Sequence, residues 1–279
     1  MTPDTQTLTI AIIQARMGSS RLPGKVLQEI AGKPMLDWVV ERTRRAETID
    51  QVVVATTTEP TDDALEKHCA QQGYPCSRGS LYDVLDRYYQ AARQFGANNI
   101  VRITADCPLI DPQVIDRTVK AFFGQTAQDD VEFSAPHLKS KILAQKSFDY
   151  AANRRPPPWS RTYPIGLDTE VCTFAALETA WHEATEKHQR EHVMPFFYEN
   201  PQRFRLLLVN HPEDFGALRW TVDTAEDLEA LRQIVSRFPG RDDFTWLEIL
   251  ELYQRAPELA QINAQVQHND YLQTDERQK

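Results

Sequence analysis

The chain reads as an α/β protein: a mostly parallel, twisted sheet with helices on both faces. Three observations predict it. Short apolar runs alternate with amphipathic helical patterns, the arrangement that a doubly covered sheet requires. The first run, residues 8–13, is apolar at nearly every position, as a strand buried on both faces must be. It opens directly into Gln14, Ala15, Arg16, Met17, Gly18, Ser19, Ser20, Arg21, Leu22, Pro23, Gly24 and Lys25. Open α/β sheets bind their ligands at the carboxyl ends of strands.

The elements follow in order. Residues 35–45 carry an amphipathic helix. Residues 51–55, with Val52, Val53 and Val54 in a row, make the next strand. A helix over 61–72 follows with Thr61 as N-cap, because a hydroxyl can accept from the unpaired amides of a first turn. A short strand over 74–77 precedes a helix over 80–95, with Ser80 as cap and Asp83 at the reciprocal capping position. Residues 99–104 form a strand. Asp111-Pro112 then starts a helix through 123, since proline costs no hydrogen bond at the first helical position. Arg154-Arg155-Pro156-Pro157-Pro158-Trp159 allows neither helix nor central strand, so 153–160 is expected to be an exposed loop. Strands over 167–174, 204–209 and 218–222 and helices over 174–185 and 188–198 come next. Thr224, ahead of Glu226 and Asp227, caps a helix over 225–238. A last helix covers 244–253, and the polar tail from 267 is expected to fray.

The 279 residues suffice for one large or two modest domains. Net charge is −9 and the acids are spread along the chain, which argues against a general nucleic-acid binder. No apolar run approaches a membrane span. Residues 1–7 lack the pattern of a signal peptide, so the expected location is cytoplasmic. Cys69, Cys76, Cys107 and Cys172 form no C-x-x-C and suggest no disulfide framework.

The loop after the first strand holds Arg16, Arg21 and Lys25 within ten residues, and Glu29 is the only acid between Leu8 and Met35. Small residues let successive backbone amides close on an anion, and Pro23-Gly24 turns the chain sharply. A Walker A loop needs four residues between its glycines and a Ser or Thr after its lysine. Here five separate Gly18 from Gly24, and Val26 follows Lys25. No G-x-G-x-x-G follows the strand either. A third kind of nucleotide loop is therefore the functional reading, and a solvated basic turn the bland one.

Asp106 and Asp223 each sit just past a predicted strand. Mg²⁺ needs one or two protein carboxylates, because it keeps waters and uses substrate phosphates as ligands. The plainer reading makes Asp106 the start of an Asp-Cys-Pro turn and Asp223 part of a helix cap. His188 to His192 fits H-x-x-E-H, with both histidines on one helical face. A catalytic zinc would want a third protein ligand, and none of Glu226, Glu229 or Glu248 is singled out. The simpler reading is a polar helix start, with Arg190 and His192 facing an anionic substrate or solvent. Asp168 and Glu170 share one strand face after the Tyr163-Pro164 turn. They are expected either to hold hydroxyls or amines of an acceptor or to be solvated acids on an edge strand.

These segments resemble the cytidylyltransferases that activate acidic sugars, which include the CMP-Kdo and CMP-sialic acid synthetases. The likeness extends especially to the branch called spore coat polysaccharide biosynthesis protein SpsF. It is carried by residues 13–25, 78–80, 83–89 and 102–110, by Tyr163-Pro164 through Gly166-Leu167-Asp168, by Arg190-Glu191-His192, and by 221–224 with Glu226-Asp227-Leu228. It runs from about residue 9 to 267.

The resemblance implies a Rossmann-like nucleotidyltransferase fold in one domain over 8–266. Within it, 8–123 would be the CTP-binding core and 124–201 the acceptor-binding and dimerisation insert. Residues 202–238 would return to the core and 239–266 would add C-terminal helices, before a tail over 267–279. It implies a homodimer that transfers CMP from CTP to a hydroxyl of an acidic sugar, with Mg²⁺ and release of pyrophosphate, for surface polysaccharide synthesis. Nucleic acid and membrane are not expected partners. Arg16, Arg21, Lys25, Asp106 and Asp223 would be catalytic, the two aspartates as metal ligands. Ala15, Arg16, Gly18, Ser19, Ser20, Arg21, Lys25, Arg78, Thr104 and Asp106 would meet CTP. The acceptor would lie against Tyr163, Asp168, Glu170, Arg190 and His192, with Asp168 a candidate general base. Gln14 departs from the proline of the sialic-acid branch. Residues 124–201 resemble SpsF alone, which leaves the acceptor open.

Three other readings compete. A glycosyltransferase on a similar sheet would commonly hold its metal with Asp-x-Asp, which the chain lacks. A zinc hydrolase would use His188 and His192. A non-catalytic module would bind CTP and consume no acceptor.

Overall fold

A computed structural model describes residues 7–125, 131–133, 148–154 and 161–267. Most of the expected 153–160 loop and the tail beyond 267 lie outside the described residues. Strands β1 (Thr9–Gln14), β4 (Gln51–Thr57), β5 (Cys76–Gly79) and β6 (Asn99–Thr104) pair in parallel in the order β5-β4-β1-β6. The sheet continues through β9 (Glu170–Thr173), β8 (Tyr150–Ala152), β10 (Leu206–Val209) and β7 (Val131–Phe133). In this half β8 and β10 are parallel, whereas the β6/β9, β9/β8 and β10/β7 pairs are antiparallel. The short β2 (Glu29–Ile30) and β3 (Lys33–Pro34) form a separate ribbon.

Alternation within the strands fills two cores. From β1, Ala11 and Ile13 enter one, and Ile10 and Ile12 the other. The first core is completed by α1 (Met35–Arg44), α2 (Asp63–Gln72), α4 (Pro112–Phe122), α8 (Ala225–Ser236) and α9 (Trp246–Arg255). The second is completed by α3 (Val84–Phe95), α5 (Phe174–Glu183) and α7 (Pro195–Glu199), with α6 (Lys187–His192) packed beside α3. Fully buried Asp111 locks two first-core helices together. It caps α4 through the Gln113 amide at 2.8 Å and accepts from the Trp246 amide of α9 at 2.8 Å.

Several boundaries shift by a few residues, and four differences from the sequence reading have a cause in the structure. The helix expected over 80–95 starts at Val84 with Asp83 as its cap, because the Ser80 carbonyl is taken by Arg87 and Asp83 by Arg190. Thr61 is not a cap: it lies in a 3-10 turn over Pro60–Asp62. The helix expected over 188–198 is two helices, broken where Val193 takes φ 72° and Pro195 starts α7. Residues 218–222 join no sheet; they make a single bridge, Arg219 to Ile165. Their backbone groups are spent elsewhere: Trp220 N–H on Ile165 O at 2.6 Å and Val222 N–H on Asp106 O at 2.8 Å. Gly166 makes that crossing possible, with φ 108° and space so tight that a Cβ would stand 2.6 Å from Trp220 O.

Candidate active site

The basic loop is held in a defined shape by its own backbone and by one buried acid. Gly24 and Ser19 both donate their amides to Met17 O, at 2.8 and 2.9 Å, and Gly24 takes the left-handed φ of 71° that this turn needs. The Met17 amide donates in turn to Asp62 Oδ1 at 2.7 Å. Asp62 is 1% exposed and also accepts from the amide and hydroxyl of Thr57 at the end of β4. The loop is thus tied to the sheet through Asp62.

Lys25 sits at the loop's end, 8% exposed, and its ammonium donates to Asp106 Oδ2 at 3.1 Å, Asp223 Oδ1 at 3.0 Å and Val222 O at 2.6 Å. Residues 81 positions or more apart therefore meet at one point. The crossing at Gly166 and the Val222–Asp106 bond bring Asp223 there, and β6 brings Asp106. Burial opposes charge on Lys25, but Asp106 and Asp223 outweigh it and hold its pKa above the ordinary lysine value. Burial likewise opposes charge on Asp106, yet Lys25 and then Thr104 hold its carboxyl below the usual range. Asp223 also receives Arg21 at 3.0 Å and Arg219 at 2.8 Å. Arg219 is itself oriented by buried Asp227 at 2.9 Å.

A cleft of about 280 Å³ opens beside this cluster. It brings together Ala15, Arg16, Ser19, Ser20, Arg21, Lys25, Thr104, Asp106, Asp223 and His192 from the expected set. Gly18 lies within the same loop without lining the cleft. Arg190 stays outside it, gripping Asp83 with two bonds of 3.0 and 2.6 Å, which sets α6 so that Glu191 and His192 face the cleft. Two lining residues, Gln14 and Arg87, hold buried atoms, Oε1 and Nε, that find no partner among the described residues. Such unpaired atoms are unusual, since buried polar groups are nearly always paired, and a polar ligand beside them could complete them. Burial pulls the Arg87 pKa down to about 10.

Four expected contacts are placed elsewhere. The Arg78 guanidinium turns away to Asp63 and Glu66, both at 2.7 Å, and to backbone carbonyls of Thr57 and Glu59. Tyr163 is 2% exposed and packs against His211 and Trp246. Glu170 is 3% exposed, pairing with Arg102 at 2.6 Å and accepting from the Tyr150 hydroxyl at 2.6 Å. Asp168 lies between Arg161, at 2.8 Å, and Arg154, at 3.6 Å, which leaves it poorly suited to be a base. An acid at a strand start looks the same in sequence whether it meets solvent, substrate or a distant arginine.

The zinc reading also loses its geometry. His188 pairs with Glu199 at 2.8 Å while His192 lines the cleft, and no group of three His, Cys, Asp or Glu among the described residues is arranged to hold a metal. For Mg²⁺ the donor set fits. Two carboxylates already converge on a cation, the Lys25 ammonium, beside a loop suited to phosphates. Asp106 and Asp223 would hold the ion, with the remaining ligands from water and substrate.

The sequence reading missed Asp62, Arg87 and Arg219. Asp62 was hidden in a Thr-Asp-Asp run that looks like any helix start. Arg87 lies on the buried face of α3, where an arginine between Val84 and Tyr88 was the available signal.

Comparison with known proteins identifies the family and the fold. The family described as Cytidylyltransferase matches residues 10–273. The spore coat polysaccharide biosynthesis protein SpsF of Bacillus subtilis is 32% identical over 89% of this chain and 95% of its own length. A 3-deoxy-manno-octulosonate cytidylyltransferase of Geobacter metallireducens is 35% identical over 82% of this chain and 98% of its own. A cytidylyltransferase structure from Leptospira borgpetersenii superposes with a TM-score of 0.79 at 30% identity, covering 94% of this chain and all of that one. The fold is the Rossmann-like nucleotidyltransferase fold, and the chain belongs to the cytidylyltransferase family.

Proposed function

We propose that the protein transfers CMP from CTP to a hydroxyl of an acidic sugar, with Mg²⁺ and release of pyrophosphate. The observation that carries this reading is the meeting of Lys25, Asp106 and Asp223 at one point against a cationic loop. The acidic-sugar acceptor is supported by the relative named 3-deoxy-manno-octulosonate cytidylyltransferase, and a surface-polysaccharide role by the one named SpsF.

The acceptor hydroxyl attacks the α-phosphorus, and the bond to the bridging oxygen of the leaving pyrophosphate breaks. Phosphoryl-type transfer asks the protein for positioning and charge neutralisation more than covalent chemistry. Arg16, Arg21 and Lys25 offset the charge that builds on the leaving group, and losing one such contact costs roughly 3–4 kcal/mol at the transition state. Mg²⁺, when bound, supplies neutralisation of phosphate charge and acidifies the attacking hydroxyl. Gln14 and Arg87 line the cleft from which Arg78, expected to meet CTP, turns away. His192, on the cleft wall, faces the acceptor.

The test is release of pyrophosphate from CTP with a panel of acidic sugars, including 3-deoxy-manno-octulosonate, against ATP and UTP as controls. CTP and one acidic acceptor should drive release, and Asp106→Ala and Asp223→Ala should abolish it. Near wild-type turnover in either variant at saturating Mg²⁺ would remove the metal assignment.

A further inference from the structure

One face of the sheet carries a polar row that leads out of the nucleotide cleft. Ile12 and Ile100 enter the core under α3, so Gln14 and Thr104, two and four residues on, stand over the same face. Arg102, two residues before Thr104, stands on the same face, between Ile12 of β1 and Glu170 of β9 in register. Asp168 is two residues beyond Glu170 and Arg154 two beyond Ala152, and the Asn153 amide donates to Thr169 O at 3.2 Å, so the two chains still run together there. Arg161 completes the group through Asp168 at 2.8 Å. Three guanidiniums, from Arg102, Arg154 and Arg161, thus share two carboxylates, Glu170 and Asp168.

Burial pushes the neighbouring Cys107 thiol and Tyr198 hydroxyl well above their usual pKa values. Among the described residues the cluster sets three guanidiniums against two carboxylates. Its arginines are also short of hydrogen bonds. Arg154 reaches Asp168 only at 3.6 Å, and the Nε atoms of Arg154 and Arg102 are buried with no partner among the described residues. Burial, and then the neighbouring charge of Arg154, hold the Arg161 pKa below its ordinary value despite Asp168. Buried guanidiniums with open donors are costly unless an anion completes them.

The cluster adjoins the reaction centre. Cys107 Sγ lies 3.6 Å from Asp106 Oδ1 and 3.2 Å from Thr104 Oγ1, and its thiol feels the charges of both Asp106 and Asp168. We propose that Arg154 and Arg161, steadied by Asp168, bind the planar or tetrahedral oxyanion of the acceptor. Guanidiniums suit both shapes, because their paired N–H groups match two oxygens of a carboxylate or phosphate. This deepens the cytidyl-transfer reading and rests on it: the two expected acceptor carboxylates act on arginines, and the arginines act on the acceptor.

The test needs no knowledge of the acceptor. With saturating CTP to occupy the basic loop, the unfolding midpoint is measured against pyruvate as a carboxylate probe and inorganic phosphate as a phosphate probe. At ten times its Kd a probe should raise the wild-type midpoint by about 2–3 °C. Arg154→Gln and Arg161→Gln should lose that rise, and Arg161→Lys should keep part of it. The better probe identifies the class of oxyanion. A wild-type midpoint that neither probe moves, or an equal rise in the glutamine variants, would overturn the proposal. Stabilisation by CTP alone is read in the same experiment, so a failure of the nucleotide reading shows separately.

Discussion

Replacing Lys25 with methionine removes one charge and leaves the stem's packing nearly intact. In the wild type its ammonium stands 3.1 Å from Asp106 and 3.0 Å from Asp223, so the two oxygens are at most about 6 Å apart. Arg21 and Arg219 still pair with Asp223, but without Lys25 the two carboxylates lose the cation between them. At an effective dielectric of 20 their repulsion is about 3 kcal/mol, equivalent to a rise of about two pKa units in one carboxyl. The sign of the pH dependence then reverses. In the wild type the depressed Asp106 adds stability that is present above its unfolded pKa and lost as pH falls through its folded one. In Lys25→Met one carboxyl of the pair is raised, so the variant is penalised at pH 7 and recovers as pH falls toward 5. Mg²⁺ should replace the missing cation and stabilise the variant more than the wild type. Urea unfolding at pH 7 and pH 5, with and without Mg²⁺, measures all of this. Equal pH dependence in the two proteins, together with equal Mg²⁺ stabilisation, would refute the reasoning.

Three further outcomes are expected. Asp62→Ala leaves the Met17 amide unpaired in the loop, and CTP should bind about tenfold more weakly, the cost of one buried hydrogen bond; unchanged affinity by calorimetry would mean the loop holds its shape alone. Arg78→Ala removes only contacts outside the cleft, so affinity for CTP and its preference over UTP should stay within about twofold; a collapse of that preference would return Arg78 to the CTP contacts. Asp242, drawn to a pKa of about 2 chiefly by its hydrogen bond from Lys33, adds stability above its unfolded pKa that is lost as pH falls through 2. Exposure keeps the effect near 0.5 kcal/mol, so Asp242→Asn should lower stability slightly at pH 6 and not at pH 2, by urea midpoints.

The parallel half of the sheet was legible because its signals are local. An apolar run such as Ile10–Ile13 can only be a buried strand, and Asp111-Pro112 can hardly be anything but a helix start. The loop was legible for the same reason, since cations and small residues lie side by side. What resisted reading depends on partners far away in sequence. The Leu218–Val222 segment has strand composition, yet its hydrogen bonds go to Ile165 and Asp106 instead of a ladder. Glu170 reads as a surface acid until Arg102 is seen across the β6/β9 pair. Arg154 and Arg161 flank a proline run that reads only as loop, and nothing local reveals that they meet over Asp168.

The central claim is nucleophilic attack at the α-phosphorus of CTP in the cleft that Lys25, Asp106 and Asp223 border. The most direct measurement follows label from CTP marked at the α or the γ phosphate, with an acidic sugar as acceptor. The α label should pass to the sugar and the γ label should leave in pyrophosphate, both only with Mg²⁺ and both lost in Asp223→Ala. Label from the γ position on the acceptor or in free phosphate, or α label left on CTP with every acceptor that binds, would contradict the account.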